Sequence, residues 1–325
     1  MNRREWLSKT VPLATLALAA HGLVHAQAFP ARPIVLLVGG APGSVPDLMV
    51  RPIAERLSSL LGQPVVVENK PGAAGGLAMA ALVRSTPDGH TLALGTMSQL
   101  VFNALLFARL PYDPERDLEP VAPLVTGAMA LAAHPSFPAR SLPEFVALAK
   151  AQPGRLFMAM PQLGSPPHIV ALLLHRAAGI DVTMVPHKSG SEAVAAVVSG
   201  EIALLIDAPT IISAQVKAGK LKVLAVTGRQ REPVLPGAPT AGESGLAVDG
   251  EAWIGLVGPA GMPPAVVQQL NRALTGIMTT PDMRERMALL GFRTLSSTAD
   301  EFRAVIRADS ARWGEVIRGA GLKLE

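Results

Sequence analysis

Short runs of apolar residues alternate with longer amphipathic stretches along most of the chain. The short runs predict buried strands, because they span four to eight residues and are bounded by glycine or proline. They lie near 33–38, 64–68, 91–95, 121–125, 128–133, 156–159, 182–185, 203–206, 222–227 and 253–258. Apolar residues at helical spacing lie near 46–61, 74–85, 98–106, 143–151, 167–178, 191–199, 210–218, 264–278, 281–290 and 299–319. This alternation predicts an α/β fold with parallel sheets.

Two stretches, residues 121–133 and 248–258, are rich in strand pattern. We interpret them as the places where the chain leaves a first domain and later returns to it. Such an arrangement predicts two lobes with a cleft between them, and clefts between lobes are preferred ligand sites.

A glycine-rich loop, residues 39–44, follows the first predicted strand and leads into a helix that opens near Pro46 and Asp47. Small residues allow backbone N–H groups to face a ligand, and a helix N-terminus carries partial positive charge. The pattern therefore predicts an anion site, with a plain strand–helix turn as the alternative. It lacks the endings and spacings of the nucleotide-binding glycine motifs. A second glycine-rich run, residues 71–76, is interpreted as the entry turn of a helix, with a role in the ligand pocket as the alternative.

The first 28 residues have the pattern of an export signal. Arg3 and Arg4 precede an apolar run from Val11 to Ala20, and a small-x-small cleavage pattern ends at Ala28. The paired arginines fit a twin-arginine signal as well as an ordinary secretory one. The chain has no cysteine, which excludes disulfides and a lipoprotein anchor. We therefore expect a periplasmic protein that is cleaved near Ala28.

Charge and composition argue against several functions. The formal net charge of +4 falls to +2 without residues 1–28, because that segment carries three basic residues and one acid. Aromatic residues make up 4% of the chain and do not alternate with a basic cluster, so nucleic acid is not expected as a partner. His168 and His175 are spaced to share a helix face without an acidic or sulfur ligand beside them. We expect neither a metal nor a cofactor.

A series of short motifs runs along the chain in a fixed order. They are RPIVLLV (32–38), LGQPVVVENKPGAAGG (61–76), PDGHTLALGT (87–96), LPYDPERDLEPV (110–121), LPEFVALAKAQPGRL (142–156), SPPH (165–168), VPHKSG (185–190), AGKLKVLAV (218–226), LPGAPTAGESGL (235–246), WIGLVGPAGMPPAVVQQLN (253–271) and RWGEVI (312–317). In these motifs the chain resembles, over nearly its full length after the signal, the substrate-binding proteins of tripartite tricarboxylate transporters. These proteins are also called Bug-type receptors.

The resemblance implies a type II periplasmic-binding fold, with two α/β lobes joined by two crossing strands and a ligand cleft between them. It implies lobe 1 at residues 29–125 plus 253–325 and lobe 2 at residues 126–252. It also implies a binding protein without catalytic activity, a monomer that captures a small carboxylate for integral-membrane transporter subunits. Family members bind di- and tricarboxylic acids, acidic amino acids or aromatic acids.

The resemblance places the ligand between one loop from each lobe. In the first loop Gly43 and Asp47 match the family, while Ser44 replaces a glycine and Pro46 replaces a hydroxyl residue. The full set of expected ligand-binding residues is Gly43, Ser44, Asp47, Thr96, Ser98, Gln99, Gly164, Ser165, His168, His187 and Asp207. His187 stands where the family usually has tyrosine, so it is either a pocket residue or a simple replacement of the aromatic ring.

Two other functions stay open at this point. A secreted hydrolase would use Ser165 and His168, but the sequence offers no nucleophile elbow and no third catalytic partner. A sensory receptor would present the same closed surface to a membrane sensor instead of a transporter.

Trp253 is expected to pack where the lobes cross, with ligand stacking as the alternative.

Overall fold

The structure is a computed structural model that describes residues 29–324. The predicted export signal, residues 1–28, lies outside the described residues. The strands are β1 Ile34–Val38, β2 Val65–Asn69, β3 Thr91–Thr96, β4 Leu118–Ala128, β5 Ala130–Ala133, β6 Phe157–Met160, β7 Thr183–Pro186, β8 Leu204–Asp207, β9 Lys222–Val226, β10 Glu251–Pro259 and β11 Arg293–Thr294. The helices are α1 Val45–Leu61, α2 Gly76–Val83, α3 Asn103–Leu106, α4 Leu142–Ala151, α5 Pro166–Ala178, α6 Gly190–Val198, α7 Pro209–Lys217, α8 Pro264–Met278, α9 Pro281–Leu289 and α10 Ala299–Gly319.

These elements form two separate sheets. The larger sheet has the strand order β11-β4-β10-β3-β1-β2, and the smaller one has the order β7-β6-β8-β5-β9. The predicted α/β class with two lobes is confirmed, but the prediction of parallel sheets is wrong in part. β1 pairs in parallel with β2 and β3, and β6 with β7 and β8, whereas β10 runs antiparallel to β3 and β4, and β5 antiparallel to β8 and β9. The antiparallel pairs include β4, β5, β9 and β10, which are the strands directly before and after the two points where the chain crosses between the sheets.

The chain passes between the sheets twice. β4 belongs to the larger sheet and β5 to the smaller one, with only Met129 between them. The chain returns through the segment between β9 and β10. Thr227 ties the two passages together, since its Oγ1 accepts the Met129 N–H at 3.0 Å and donates to the Gly250 carbonyl at 2.7 Å. The lobe boundaries at residues 125/126 and 252/253 stay predictions.

The C-terminal helix connects the two halves of the molecule. α10 packs against β4 of the larger sheet and against α5, which flanks the smaller sheet. Phe102 and Trp313 meet edge to face in this core, with ring centroids 5.5 Å apart. Beyond the helix, the Leu324 N–H donates to the Leu106 carbonyl at 2.8 Å. The last described residue is thereby held beside the cleft. Within residues 29–324, no helix combines the length and the apolar character that crossing a membrane requires.

Candidate ligand-binding cleft

Two adjoining cavities lie between the sheets. The first has a volume of about 490 Å³ and the second about 380 Å³. They share the wall residues Pro46, Thr96, Ser98, Ser165 and Pro166. Because Pro46 lies in the first turn of a helix beside the larger sheet and Ser165 precedes a helix beside the smaller one, both halves of the molecule face the same space.

The first loop has a sharply turned backbone at its glycine. Gly43 has φ +78°, and its N–H donates to Asp47 Oδ2 at 2.9 Å. Ser44 is the N-cap residue of α1, and its hydroxyl is buried without a hydrogen-bond partner among the described residues. Pro46 lies in the first turn of the helix, where the N–H that it lacks has no partner within the helix. The N-terminus of α1 is thus turned toward the shared wall.

Asp47 holds this loop in place. Its Oδ1 accepts from Arg51 Nη2 at 2.7 Å and from Asn69 Nδ2 at 2.9 Å, while its Oδ2 also accepts from Arg51 Nε at 3.0 Å. The hydrogen bonds from Arg51 are the main reason that the pKa of Asp47 is lowered to about 2. Asn69 Nδ2 also donates to the Gly40 carbonyl at 3.0 Å, which joins the loop to the end of β2. Both carboxylate oxygens of Asp47 are therefore occupied by hydrogen bonds from within the protein.

The second loop repeats the same geometry. Gly164 has φ +75°, and its N–H donates to His168 Nδ1 at 3.1 Å. Ser165 is the N-cap residue of α5, and its hydroxyl is likewise buried without a partner among the described residues. Burial lowers the pKa of His168 to about 4, so its imidazole is neutral at neutral pH. Because Nδ1 accepts a hydrogen bond, the ring proton must lie on Nε2.

The two loops share a short sequence pattern that becomes evident once their geometry is known. Residues 43–47 read Gly-Ser-Val-Pro-Asp and residues 164–168 read Gly-Ser-Pro-Pro-His. In each, a glycine in the left-handed region precedes a serine N-cap, and the residue four positions after the glycine accepts the glycine N–H. Two helix N-termini and the unpaired hydroxyl of Ser165 therefore lie at one cleft, which suits a bound anion.

A third turn completes the first cavity. Gln99 Oε1 accepts from the Thr96 N–H at 2.8 Å, and Gln99 Nε2 donates to the Gly75 carbonyl at 3.3 Å. Residues 72–75 all have positive φ, including Ala73 at +49° and Ala74 at +50°. Alanine rarely adopts this region, and such strained backbone is concentrated at functional sites. The turn leads into α2 and also lines the cavity, so it combines the predicted helix entry with the alternative position at the pocket.

The matching family model describes a tripartite tricarboxylate transporter family receptor and covers residues 49–322. The chain belongs to this receptor family. It is 32% identical over 315 residues to the protein BugT of Bordetella pertussis, which covers 96% of both chains. The solved structure of Rpa4515 from R. palustris with adipate matches with a TM-score of 0.79 and 28% identity, over 91% of this chain and 99% of that one. MatC from Rhodopseudomonas palustris with bound malate matches with a TM-score of 0.74 and 32% identity, over 89% and 100%.

The receptor brings six of the expected site residues together at the cavity walls. They are Thr96, Ser98, Gln99, Gly164, Ser165 and Asp207. Gly43, Ser44, Asp47 and His168 lie in the loops that carry the wall residues and are not themselves on the walls of the two cavities. His187 is also absent from these walls, and its Nδ1 lies 3.0 Å from the Val185 carbonyl oxygen.

The geometry around Ser165 gives no support to a hydrolase. His168 Nδ1 accepts the Gly164 N–H, and Ser165 Oγ has no hydrogen-bond partner within residues 29–324. A serine nucleophile needs a hydrogen bond to its base and an acid that orients the base. The family and the solved relatives are receptors, not enzymes. Over the described part of the chain, no three histidine or acidic side chains are grouped as metal ligands.

Proposed function

We propose that this periplasmic-family receptor captures a small organic acid and presents it to the integral-membrane subunits of a tripartite transporter. One observation carries the proposal: the matched loops at Gly43–Asp47 and Gly164–His168 bring a helix N-terminus from each half of the molecule to one cleft, and the unpaired hydroxyl of Ser165 belongs to its wall. Amide and hydroxyl donors that are shielded from water bind a carboxylate more strongly than they bind a neutral acceptor.

Ligand binding would favour the closed arrangement of the lobes. A ligand shifts a conformational equilibrium only through contacts that differ between the two states. A carboxylate that accepts hydrogen bonds from both loops has such contacts only when the lobes are together, as in hinge closure. In this proposal residues 29–125 and 253–325 form one lobe and residues 126–252 form the other.

The solved relatives support this class of ligand, because one was determined with adipate and another with malate. Cleavage of the export signal and a monomeric state are part of the same proposal. We expect the protein in the periplasm to be a monomer that begins near Phe29, which mass spectrometry and light scattering would test.

A charge placed in the second loop tests the proposal directly. Ser165→Asp keeps a strong N-cap residue, because aspartate caps helices as well as serine does. Its carboxylate would, however, occupy or repel the anion position. In a thermal-shift and calorimetry screen of mono-, di- and tricarboxylates, we expect wild-type protein to bind at least one acid and Ser165→Asp to bind it at least a hundredfold more weakly.

Ser141→Asp is the matched control. Ser141 caps α4 and accepts the Glu144 N–H at 3.4 Å, and it lines neither cavity. This variant should bind the acid as wild type does. Retained binding in Ser165→Asp, at an unchanged melting temperature, would show that the loop is not the anion site.

A further inference from the structure

One buried acid at the cleft has no role in the anion site. Asp207 ends β8 and is 5% exposed. Its Oδ1 accepts the Ala208 N–H at 2.7 Å, and its Oδ2 has no hydrogen-bond partner among residues 29–324. Besides burial, the Ala208 N–H is the influence on this carboxylate within the described residues, and no charged side chain of that stretch acts on it. Burial raises its pKa to about 6. An unpaired buried carboxylate oxygen costs free energy, so a partner from outside the protein would be stabilising.

Asp207 lies on the wall of the second cavity, whose surroundings differ from those of the first. Apolar side chains dominate that wall, among them Met97, Met129, Ile211, Trp253, Ile254 and Phe292. The indole N–H of Trp253 donates to Asp309 Oδ2 at 2.6 Å and is therefore already paired. Apart from Thr210 beside it, Asp207 is the polar side chain of this cavity that lies away from the shared wall of Thr96, Ser98 and Ser165.

The two cavities therefore select for different ends of one molecule. The shared wall offers donors to a carboxylate, the second cavity offers apolar surface, and Asp207 offers an acceptor beyond it. A second carboxylate in the second cavity would lose its hydration among apolar side chains and be repelled by the Asp207 carboxylate. A methyl end would fit the apolar wall but leave Oδ2 unpaired.

We propose, building on the proposed function, that the ligand is an acid with one carboxylate, an apolar body and a hydroxyl or amino group at its far end, which donates a hydrogen bond to Asp207. Such a ligand would still place its carboxylate at the anion site. The receptor should discriminate against dicarboxylates with the same number of carbon atoms, because specificity for a donor group arises when its absence leaves a buried acceptor unpaired.

Four acids with six carbon atoms each test this inference: hexanoate, 6-hydroxyhexanoate, 6-aminohexanoate and adipate. Benzoate, 4-hydroxybenzoate, 4-aminobenzoate and terephthalate form a matched aromatic series. By calorimetry at about pH 7.5, we expect the hydroxy or amino acid of at least one series to bind wild type at least tenfold more tightly than both the unsubstituted acid and the diacid of that series.

Asp207→Asn should invert this ranking. The amide keeps the shape of the side chain, removes its charge and adds an N–H donor. The amino acid should lose at least tenfold in affinity, and the diacid should gain. Glu232→Gln is the matched control, since Glu232 is also a buried acid, 2% exposed, with an unpaired Oε1 among the described residues, but lines neither cavity. It should leave the ranking unchanged. Circular dichroism and thermal unfolding check that both variants are folded.

Three results would overturn the inference. Diacid binding equal to that of the hydroxy and amino acids is the first, and an Asp207→Asn effect of the same size on every acid is the second. The third is a wild-type ligand, found in the wider acid screen, that lacks a distal donor while both matched series fail to bind. In all three cases acids still bind, so the proposed function would stand. Absence of binding by every acid would instead contradict both proposals.

Discussion

The two cleft loops build one backbone geometry from different side chains. In each, a left-handed glycine donates its N–H to the residue four positions later, and a serine caps the helix that follows. In the first loop that acceptor is the ionised Asp47, neutralised by Arg51, and in the second it is the neutral His168. Neither loop therefore presents an uncompensated charge to the cleft. The shared element is the arrangement of main-chain N–H groups, and this supports an anion site that depends on the backbone.

The difference between the loops lies in how firmly each acceptor is held. Asp47 has four hydrogen bonds, from Gly43, Arg51 and Asn69. His168 Nδ1 has one, from Gly164. The two loops should therefore respond differently to acid, to substitution of the acceptor and to crowding at the glycine.

Acid should weaken the second loop long before the first, and this is the largest effect that we expect. Burial lowers the pKa of both His168 and His175, on the same helix, from 6.5 to about 4. The unfolded chain thus binds protons that the folded protein rejects, and stability is lost as the pH falls from about 6.5 to 4. At about 1.36 kcal/mol per pKa unit, each histidine accounts for up to about 3 kcal/mol.

Two groups set the limits of this acid response. Asp207, whose pKa is raised to about 6, acts in the opposite direction, because its protonation between about pH 6 and 4 favours the folded state and offsets part of the loss. Asp47 contributes a loss of stability only as the pH falls below 3.8 toward about 2.

Urea unfolding at about pH 7 and about pH 4.5 measures the loss of unfolding free energy between these two pH values, and His175→Leu should reduce that loss. An unchanged pH dependence in that variant would show that His175 does not titrate in this window.

Replacing Asp47 and His168 by asparagine should lower the free energy of unfolding by different amounts, because Asp47 accepts four hydrogen bonds and His168 Nδ1 accepts one. In Asp47→Asn, whichever way the amide is turned, its NH₂ group faces donors, because both carboxylate oxygens accept two hydrogen bonds. We expect a loss of about 3 kcal/mol in unfolding free energy at pH 7. In His168→Asn the amide oxygen can still accept the Gly164 N–H, so the loss should be about 1 kcal/mol.

The control for this pair is Asp282→Asn. Asp282 is 47% exposed and pairs with Arg56 at 2.7 Å, and exposed ion pairs contribute less than about 1 kcal/mol. Similar losses for all three variants in urea unfolding would mean that the bonding around Asp47 has no special importance for the first loop.

The positions of most helices and strands could be predicted from the sequence, but their pairing could not. β10 has the same apolar run as a parallel strand, and its antiparallel sense depends on where the chain returns after β9. The pattern of apolar and polar residues within a strand does not indicate where in the sheet the chain re-enters, and therefore does not indicate the direction of β10. In the same way, the glycines at 72 and 75 signal a turn, but nothing in the sequence indicates that the alanines at 73 and 74 adopt positive φ values and line the cavity.

The site was predictable where chemistry follows local pattern and not where it depends on packing. The glycine, serine and proline of both loops are visible in the sequence, and so is the repeat of their order, which was missed because it is only a few residues long. The roles of Asp47 and His168 as loop acceptors depend on the turn at each glycine. The unpaired oxygen of Asp207 becomes visible only when its neighbours are placed.

The smallest expected difference concerns the two glycines themselves. Alanine at either position must adopt a left-handed backbone, which costs about 1 kcal/mol. A Cβ at Gly43 would meet nothing within 4 Å, whereas a Cβ at Gly164 would lie 2.8 Å from Leu106 Cδ1 and 3.1 Å from Leu324 Cδ1. Gly43→Ala should therefore cost about 1 kcal/mol and Gly164→Ala about 2 kcal/mol in urea unfolding, because crowding adds to the backbone term.

A double-mutant cycle with Leu106→Ala separates the two contributions to the Gly164→Ala cost. Truncation of Leu106 gives the new methyl group room, so the penalty of Gly164→Ala should fall toward that of Gly43→Ala in this background, while Gly43→Ala itself should be unaffected. Equal losses of unfolding free energy for the two alanine substitutions in both backgrounds would mean that the second loop shifts to accommodate the new methyl group without an energetic penalty. In that case the two loops would differ in the bonding of Asp47 and His168 and not in the space around their glycines.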